Sequence, residues 1–104
     1  MIAKDKIKKV VSNDLPIITE KEIDDIFALI YRNVKYYRLN NKSEYADEYG
    51  RITQERLAEL CQVSRSLIAN IESVKVNQTF SIAVIATISK VLNVPFYKFF
   101  KEHE

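Results

Sequence analysis

Between residues 19 and 38 the apolar side chains Ile23, Phe27, Ile30, Val34 and Tyr37 recur at alternating steps of four and three. That spacing places them on one face of a helix running to about Arg38. Thr19-Glu20-Lys21-Glu22 supplies its start, with capping-box spacing and with Ile18 and Ile23 set to form a hydrophobic staple. Downstream, three polar caps each precede an apolar run: Thr53 before Leu57, Ala58 and Cys61; Ser64 before Leu67, Ile68 and Ile71; Ser81 before Ile82, Ile85, Ile88 and Leu92. Phe80 is placed to staple onto Ile85, and Asn93 suits the left-handed residue that ends a helix. Pro95 then opens a last short turn carrying Phe96, Phe99 and Phe100.

The β-branched content of residues 81–94 lets that run compete as a strand, but its apolar periodicity and its cap favour helix. Residues 39–51, with Asn40, Asn41, Ser43, several acids and Gly50, read as an exposed loop with room for one helical turn. Near the N-terminus Ile2, Ala3, Ile7, Val10 and Val11 have helix-like spacing among lysines, which fits a short amphipathic helix or a loose arm. The run Ser12-Asn13-Asp14-Leu15-Pro16 breaks it off, because proline disfavours helix in the residue before it. The expected organisation is therefore an N-terminal extension over residues 1–18 and one helical domain over residues 19–104.

Composition supports a folded, helical chain. Of 104 residues, 47% are hydrophobic and 29% charged, and a single glycine and two prolines are too few for many tight hairpins. The formal charge of +2 permits nucleic-acid binding without indicating it, so the case must rest on local arrangement. One cysteine, Cys61, rules out an internal disulfide and a cysteine-rich zinc site. No run has the length of a membrane span or the character of a signal peptide, which makes the cytoplasm the expected location.

The central pattern is two short helices joined by Gln62-Val63-Ser64, the arrangement of a helix-turn-helix. Small Ala58 lets the helices approach, while Leu57, Cys61, Val63, Ile68 and Ile71 lock the crossing and leave the second helix an outward face for the major groove. The runs "ITQERLAELCQVSRSLIANIE" and "ISKVLNVPFYKFF", with "NVKYYR" upstream, resemble the lambda-repressor-like, Xre-type DNA-binding family. The likeness covers most of residues 23–100 and implies an all-α, five-helix domain, here with an extra N-terminal segment. By position, the resemblance assigns DNA contact to Thr53, Gln54, Ser64, Arg65, Ser66, Ala69, Asn70, Lys75 and Asn77.

Within that set Gln54 would meet a phosphate at a helix N-terminus. Arg65 would bond a guanine edge, Asn70 an adenine, and Ala69, with Leu67 beside it, a thymine methyl. Lys75 and Asn77 would reach phosphates. The resemblance also pairs Arg38 with Glu72, bridging the first helix to the end of the third. The sequence departs from the family in three places. Gln62 stands for the usual turn glycine, Val74 for the glycine after the recognition helix, and the loop between the first two helices is longer.

Each feature has a plainer reading. Arg65, Ser66 and Asn70 can be a solvated helix face, Lys75 and Asn77 an ordinary surface loop, and Lys4, Lys6, Lys8 and Lys9 a solvated face rather than a DNA-reaching arm. Cys61 reads as a packed small hydrophobe, and Tyr31, Tyr36 and Tyr37 as core and rim. His103, next to the last residue, is neither ligand nor base.

The function expected from this reading is sequence-specific DNA binding by a transcriptional regulator, a dimeric repressor or operon controller reading the major groove with residues 65–73. Phe96, Phe99 and Phe100, or the N-terminal segment, would supply the dimer interface. The alternative is an antitoxin, or a regulator whose main role is binding a protein partner. No nucleophile–base pair, metal cluster or glycine-rich phosphate loop is present, so neither an enzyme, a cofactor nor a metal is expected.

Overall fold

The computed structural model describes residues 16–73 and 80–102. Helix α1 spans Glu20–Leu39, α2 Gln54–Cys61, α3 Arg65–Glu72 and α4 Ile82–Leu92, and a 3-10 turn, Phe96–Phe100, closes the described chain. There is no strand among the described residues. Four helices and the closing turn thus take the places of the five expected helical elements. No helix among the described residues is long and apolar enough to cross a membrane.

Local chemistry sets each boundary. Thr19 caps α1 as a full capping box: the Glu22 amide donates to Thr19 Oγ1 and the Thr19 amide to Glu22 Oε1, both at 3.1 Å. Thr53, Ser64 and Ser81 cap α2, α3 and α4 in the same sense, each side chain accepting an amide from the first turn. The β-branched run at 82–92 is helical because Ile85, Ile88 and Leu92 fall on one buried face. Asn93, at φ 56°, ends it, while the Val94 amide donates to Ser89 O at 3.0 Å. That is the Schellman closure, with asparagine in the left-handed place usually held by glycine.

α1 lies against α3, α4 and the closing turn, and α2 packs on both α3 and α4. The core between them is Val34, Ile52, Leu57, Ile68, Ile71, Ile85, Ile88, Leu92 and Phe99, each at most 2% exposed. Full burial of such a side chain stabilises by about 1.5–3 kcal/mol. Phe27, Tyr31 and Phe80 close one end as an aromatic cluster with ring centroids 5.4–6.0 Å apart. Phe80 therefore packs onto α1 as well as preceding α4. Phe99 corrects an expectation: it is wholly buried against Tyr37, ring centroids 5.4 Å apart, and is unavailable to a dimer interface.

The 40–51 loop is mostly exposed, as expected, but is anchored by one buried residue. Asn41 is only 6% exposed, and its Nδ2 donates to the carbonyls of Tyr37 at 3.1 Å and Leu92 at 2.9 Å. Carbonyls in the last turns of α1 and α4 lack helical partners, and this one amide serves both. The Asn41 amide donates to Gly50 O at 2.7 Å, and Gly50 holds φ +78°. A Cβ at Gly50 would lie 2.9 Å from the Asn41 carbonyl oxygen, so the close approach requires glycine. Asp47 Oδ1 accepts the amides of Tyr49 and Arg51 at 2.8 and 3.0 Å, which hold its carboxyl below the usual aspartate range. The loop is thus fastened to the ends of α1 and α4.

Candidate nucleic-acid interface

The turn between α2 and α3 is a second Schellman closure. Gln62 sits at φ 58°, ψ 42°, the Val63 amide donates to Ala58 O at 3.0 Å, and half-buried Val63 turns onto the core. A non-glycine therefore accepts the left-handed conformation, and the turn keeps its register. The conformation costs an L-residue about 1–2 kcal/mol. Ser64 follows at once as the α3 N-cap, its hydroxyl accepting the Leu67 amide at 3.1 Å.

The two sides of α3 are distinct. Ile68 and Ile71 are 0% and 1% exposed and hold the helix to the core. Arg65, Ser66, Ala69 and Asn70 share the opposite side, the first two exposed and the last two half-buried. Their spacing, i, i+1, i+4 and i+5, places them together on an α-helix. Leu67 instead packs half-buried against the core, which leaves Ala69 as the apolar group of the outer face.

A buried ion pair fixes this helix to the rest of the fold. Arg38 donates from Nε to Glu72 Oε2 at 2.6 Å and from Nη2 to Glu72 Oε1 at 2.7 Å, with 9% and 3% of the two side chains exposed. Arg38 Nη1 also donates to the carbonyl of Ile52 at 2.7 Å, just before α2. The α1 terminus, the entry to α2 and the α3 terminus therefore meet at one guanidinium. Gln54 joins them, its Nε2 donating to Glu72 Oε1 at 3.1 Å.

Thr53 and Gln54 lie at the start of α2, Thr53 exposed and Gln54 half-buried. Thr53 Oγ1 accepts the Arg56 amide at 3.0 Å, and Ser64 Oγ is likewise engaged as a cap. Lys75, Asn77, Val74 and His103 lie outside the described residues, as do the N-terminal lysines. Cys61 is buried on the inner side of α2, and burial pushes its thiol up to about 11. It is a packing residue.

Sequence reasoning overlooked Asn33 and Asn41. Asn33 is 1% exposed, and its Nδ2 donates to the carbonyls of Lys98, Phe99 and Lys101 at 3.4, 2.7 and 2.8 Å. That amide ties the closing turn to α1. The only sequence signal was an asparagine one residue from the core stripe, a polar residue where an apolar one would serve as well.

The family model described as "Helix-turn-helix" matches residues 50–99. No curated protein and no solved structure matches the chain. The matched segment holds α2, the left-handed turn, α3, α4 and most of the closing turn. Residues 50–99 thus carry a helix-turn-helix domain of the Xre, lambda-repressor-like type, a domain of DNA-binding regulators.

Proposed function

We propose that the protein is a sequence-specific transcriptional regulator that acts in the cytoplasm as a homodimer, a repressor or operon controller reading the major groove with α3. The observation that carries this reading is the division of α3. Its inner face is locked by Ile68, Ile71 and the Arg38–Glu72 pair, while Arg65, Ser66, Ala69 and Asn70 face outward together. A rigidly held helix with a polar outer face is what base readout requires.

On that face Arg65, at the first position of α3, suits bidentate bonding to guanine, and Asn70 suits adenine. Ser66 is a short donor or acceptor between them, and Ala69 offers a methyl to thymine. Thr53 and Gln54 flank the free amides at the α2 N-terminus, a place that favours a phosphate. The Gln54 amide nitrogen carries two hydrogens. With one on Glu72, the other remains for a phosphate oxygen, and the contact would be aimed by the same pair that aims α3. Ser64 contributes through its cap. Lys75 and Asn77 are proposed as further backbone contacts on sequence position alone.

Two copies would place paired α3 helices on half-sites about 34–36 Å apart. The test is selection from random duplex DNA by the purified protein, at low and at near-physiological salt. Two related half-sites that persist at the higher salt are the expected result. Weak binding that disappears with salt and returns no motif would reduce the interaction to counterion release. A protein partner would then become the leading function.

A further inference from the structure

The side of α1 turned away from the core carries a mixed stripe of apolar and charged residues. Ile26 is 43% exposed, Ala28 and Leu29 are half-buried, and Asp25 and Arg32 stand exposed beside them. Two shallow clefts of about 270 and 300 Å³ meet along this side and share Leu29, Arg32 and Glu102. Arg32 has no ion-pair partner among the described residues, Glu102 included.

Charge is divided along the same side. Its first half holds Glu22, Asp24 and Asp25 against Lys21, and its second half holds Arg32 and Lys35. Glu20 and Arg38 fall on the opposite side of the helix by its period. A surface whose halves carry opposite charge complements a second copy of itself turned end for end. We infer that two copies of the chain meet here, their α1 helices antiparallel about a two-fold axis at Leu29. The inference rests on the homodimer proposed above and gives it an interface. It does not depend on base readout by α3.

The helical repeat fixes what such a pairing brings together. At about 1.5 Å per residue, Asp25 lies about 6 Å before Leu29 and Arg32 about 4.5 Å after it. At about 3.6 residues per turn, both sit on the same flank, rotated from Leu29 by about 40° and about 60°. A two-fold axis perpendicular to the helices keeps each flank on its own side. Asp25 of each copy therefore meets Arg32 of the other, and the pair occurs twice. Farther out on that flank Asp24 comes level with Lys35. On the other flank Ile26 enters the cleft of the second copy beside Leu29, and the two Leu29 side chains meet at the axis.

The remaining charges are accommodated. Asp25 already holds Lys21 at 3.1 Å, but both are well exposed and a carboxylate accepts several donors, so Arg32 can join. Glu102 of the same chain also stands beside Arg32, and a guanidinium with five donors serves both carboxylates. Glu22 keeps its bond to the Thr19 amide.

Sedimentation equilibrium of the full chain and two charge-reversed variants tests the inference. Asp25→Arg or Arg32→Asp turns both cross-axis pairs into like charges, so each variant alone should dimerise at least about tenfold more weakly. Mixed in equal amounts, the two variants regain both opposite pairs. Dimerisation should then return to the wild-type strength, now between unlike chains. Circular dichroism of each variant should match the wild type, since both side chains are exposed. Variants that dimerise as the wild type does would leave the homodimer standing, place its interface elsewhere and overturn the inference. Variants that stay weak when mixed would give the clefts another occupant and overturn it too. A wild-type chain that remains monomeric at millimolar concentration would remove the homodimer itself, and the inference with it.

Discussion

Removing Glu72 tests whether the ion pair holds the recognition helix in place. Glu72→Ala strips Arg38 of both carboxylate bonds while its side chain stays about nine-tenths buried, leaving only the Ile52 carbonyl as partner. A buried charge deprived of its counter-charge costs about 3–5 kcal/mol, whereas an exposed pair of the same type is worth up to about 1 kcal/mol. The 3% exposure of the Glu72 side chain puts it with the first group. Gln54 loses its acceptor as well, so the upper part of the range is expected. Against the usual 5–15 kcal/mol of a small domain, the loss is a large fraction of the whole.

The assay is urea unfolding followed by far-UV circular dichroism at two protein concentrations, which separates folding from association. Melting should fall in parallel by at least about 12 °C, from about 4 °C per kcal/mol and the lower bound of the cost. The double replacement Arg38→Met with Glu72→Leu removes both charges and keeps volume, so it should cost less than Glu72→Ala alone. It should nevertheless weaken DNA binding, because Gln54 and the α3 terminus lose their common anchor. A Glu72→Ala cost below about 1 kcal/mol would refute the reasoning. A double variant as unstable as the summed singles would refute it equally.

The remaining predictions concern the recognition face, two of the three left-handed positions among the described residues and two titrating groups. Arg65→Ala should cost about 1–3 kcal/mol at one base pair and relax specificity there, while Gln54→Ala should weaken binding to all duplexes alike; equal losses on cognate and random DNA for Arg65→Ala would remove its assigned role. Gln62→Gly should leave stability unchanged or raise it by up to about 1 kcal/mol, since relieved left-handed strain is offset by chain entropy. Gly50→Ala should destabilise by about 1–3 kcal/mol in the same unfolding assay, because its Cβ meets the Asn41 carbonyl. Cys61, with its thiol raised to about 11, should resist iodoacetamide at pH 8 until the protein unfolds. The Asp47 carboxyl is lowered from 3.8, so its hold on the loop should be full above that value and lost as pH falls through the folded one. Amide exchange at Tyr49 and Arg51 should accelerate over that acid interval.

Features decided within a few residues were legible in the sequence. Thr19, Ser64 and Ser81 cap helices because a short hydroxyl meets the free amides two or three residues on, a relation spelled out by adjacent residues. Asn93 ends α4 for an equally local reason, being among the few side chains that tolerate positive φ. The β-branched run at 82–92 was the hard case. Its period, not its propensity, identified it as helix, since burying Ile85, Ile88 and Leu92 outweighs tenths of a kcal/mol per residue.

The tertiary polar ties were not legible, and Asn33 and Asn41 show why. Each serves carbonyls far along the chain, Asn33 those of the closing turn and Asn41 that of Leu92. The need arises from carbonyls in turns and helix ends that later residues create, so nothing beside either asparagine announces it. Arg38 and Glu72 were paired by family position rather than by spacing for the same reason. Their geometry adds what position could not give: Glu72 accepts from Gln54 as well as from Arg38. The side chain proposed to meet a phosphate and the helix proposed to read bases thus share one carboxylate. A shift of α3 along its axis would also move the Gln54 amide, so backbone contact and base readout should be gained or lost together. Uniform losses from Gln54→Ala should therefore turn sequence-dependent when Glu72 is replaced in the same chain.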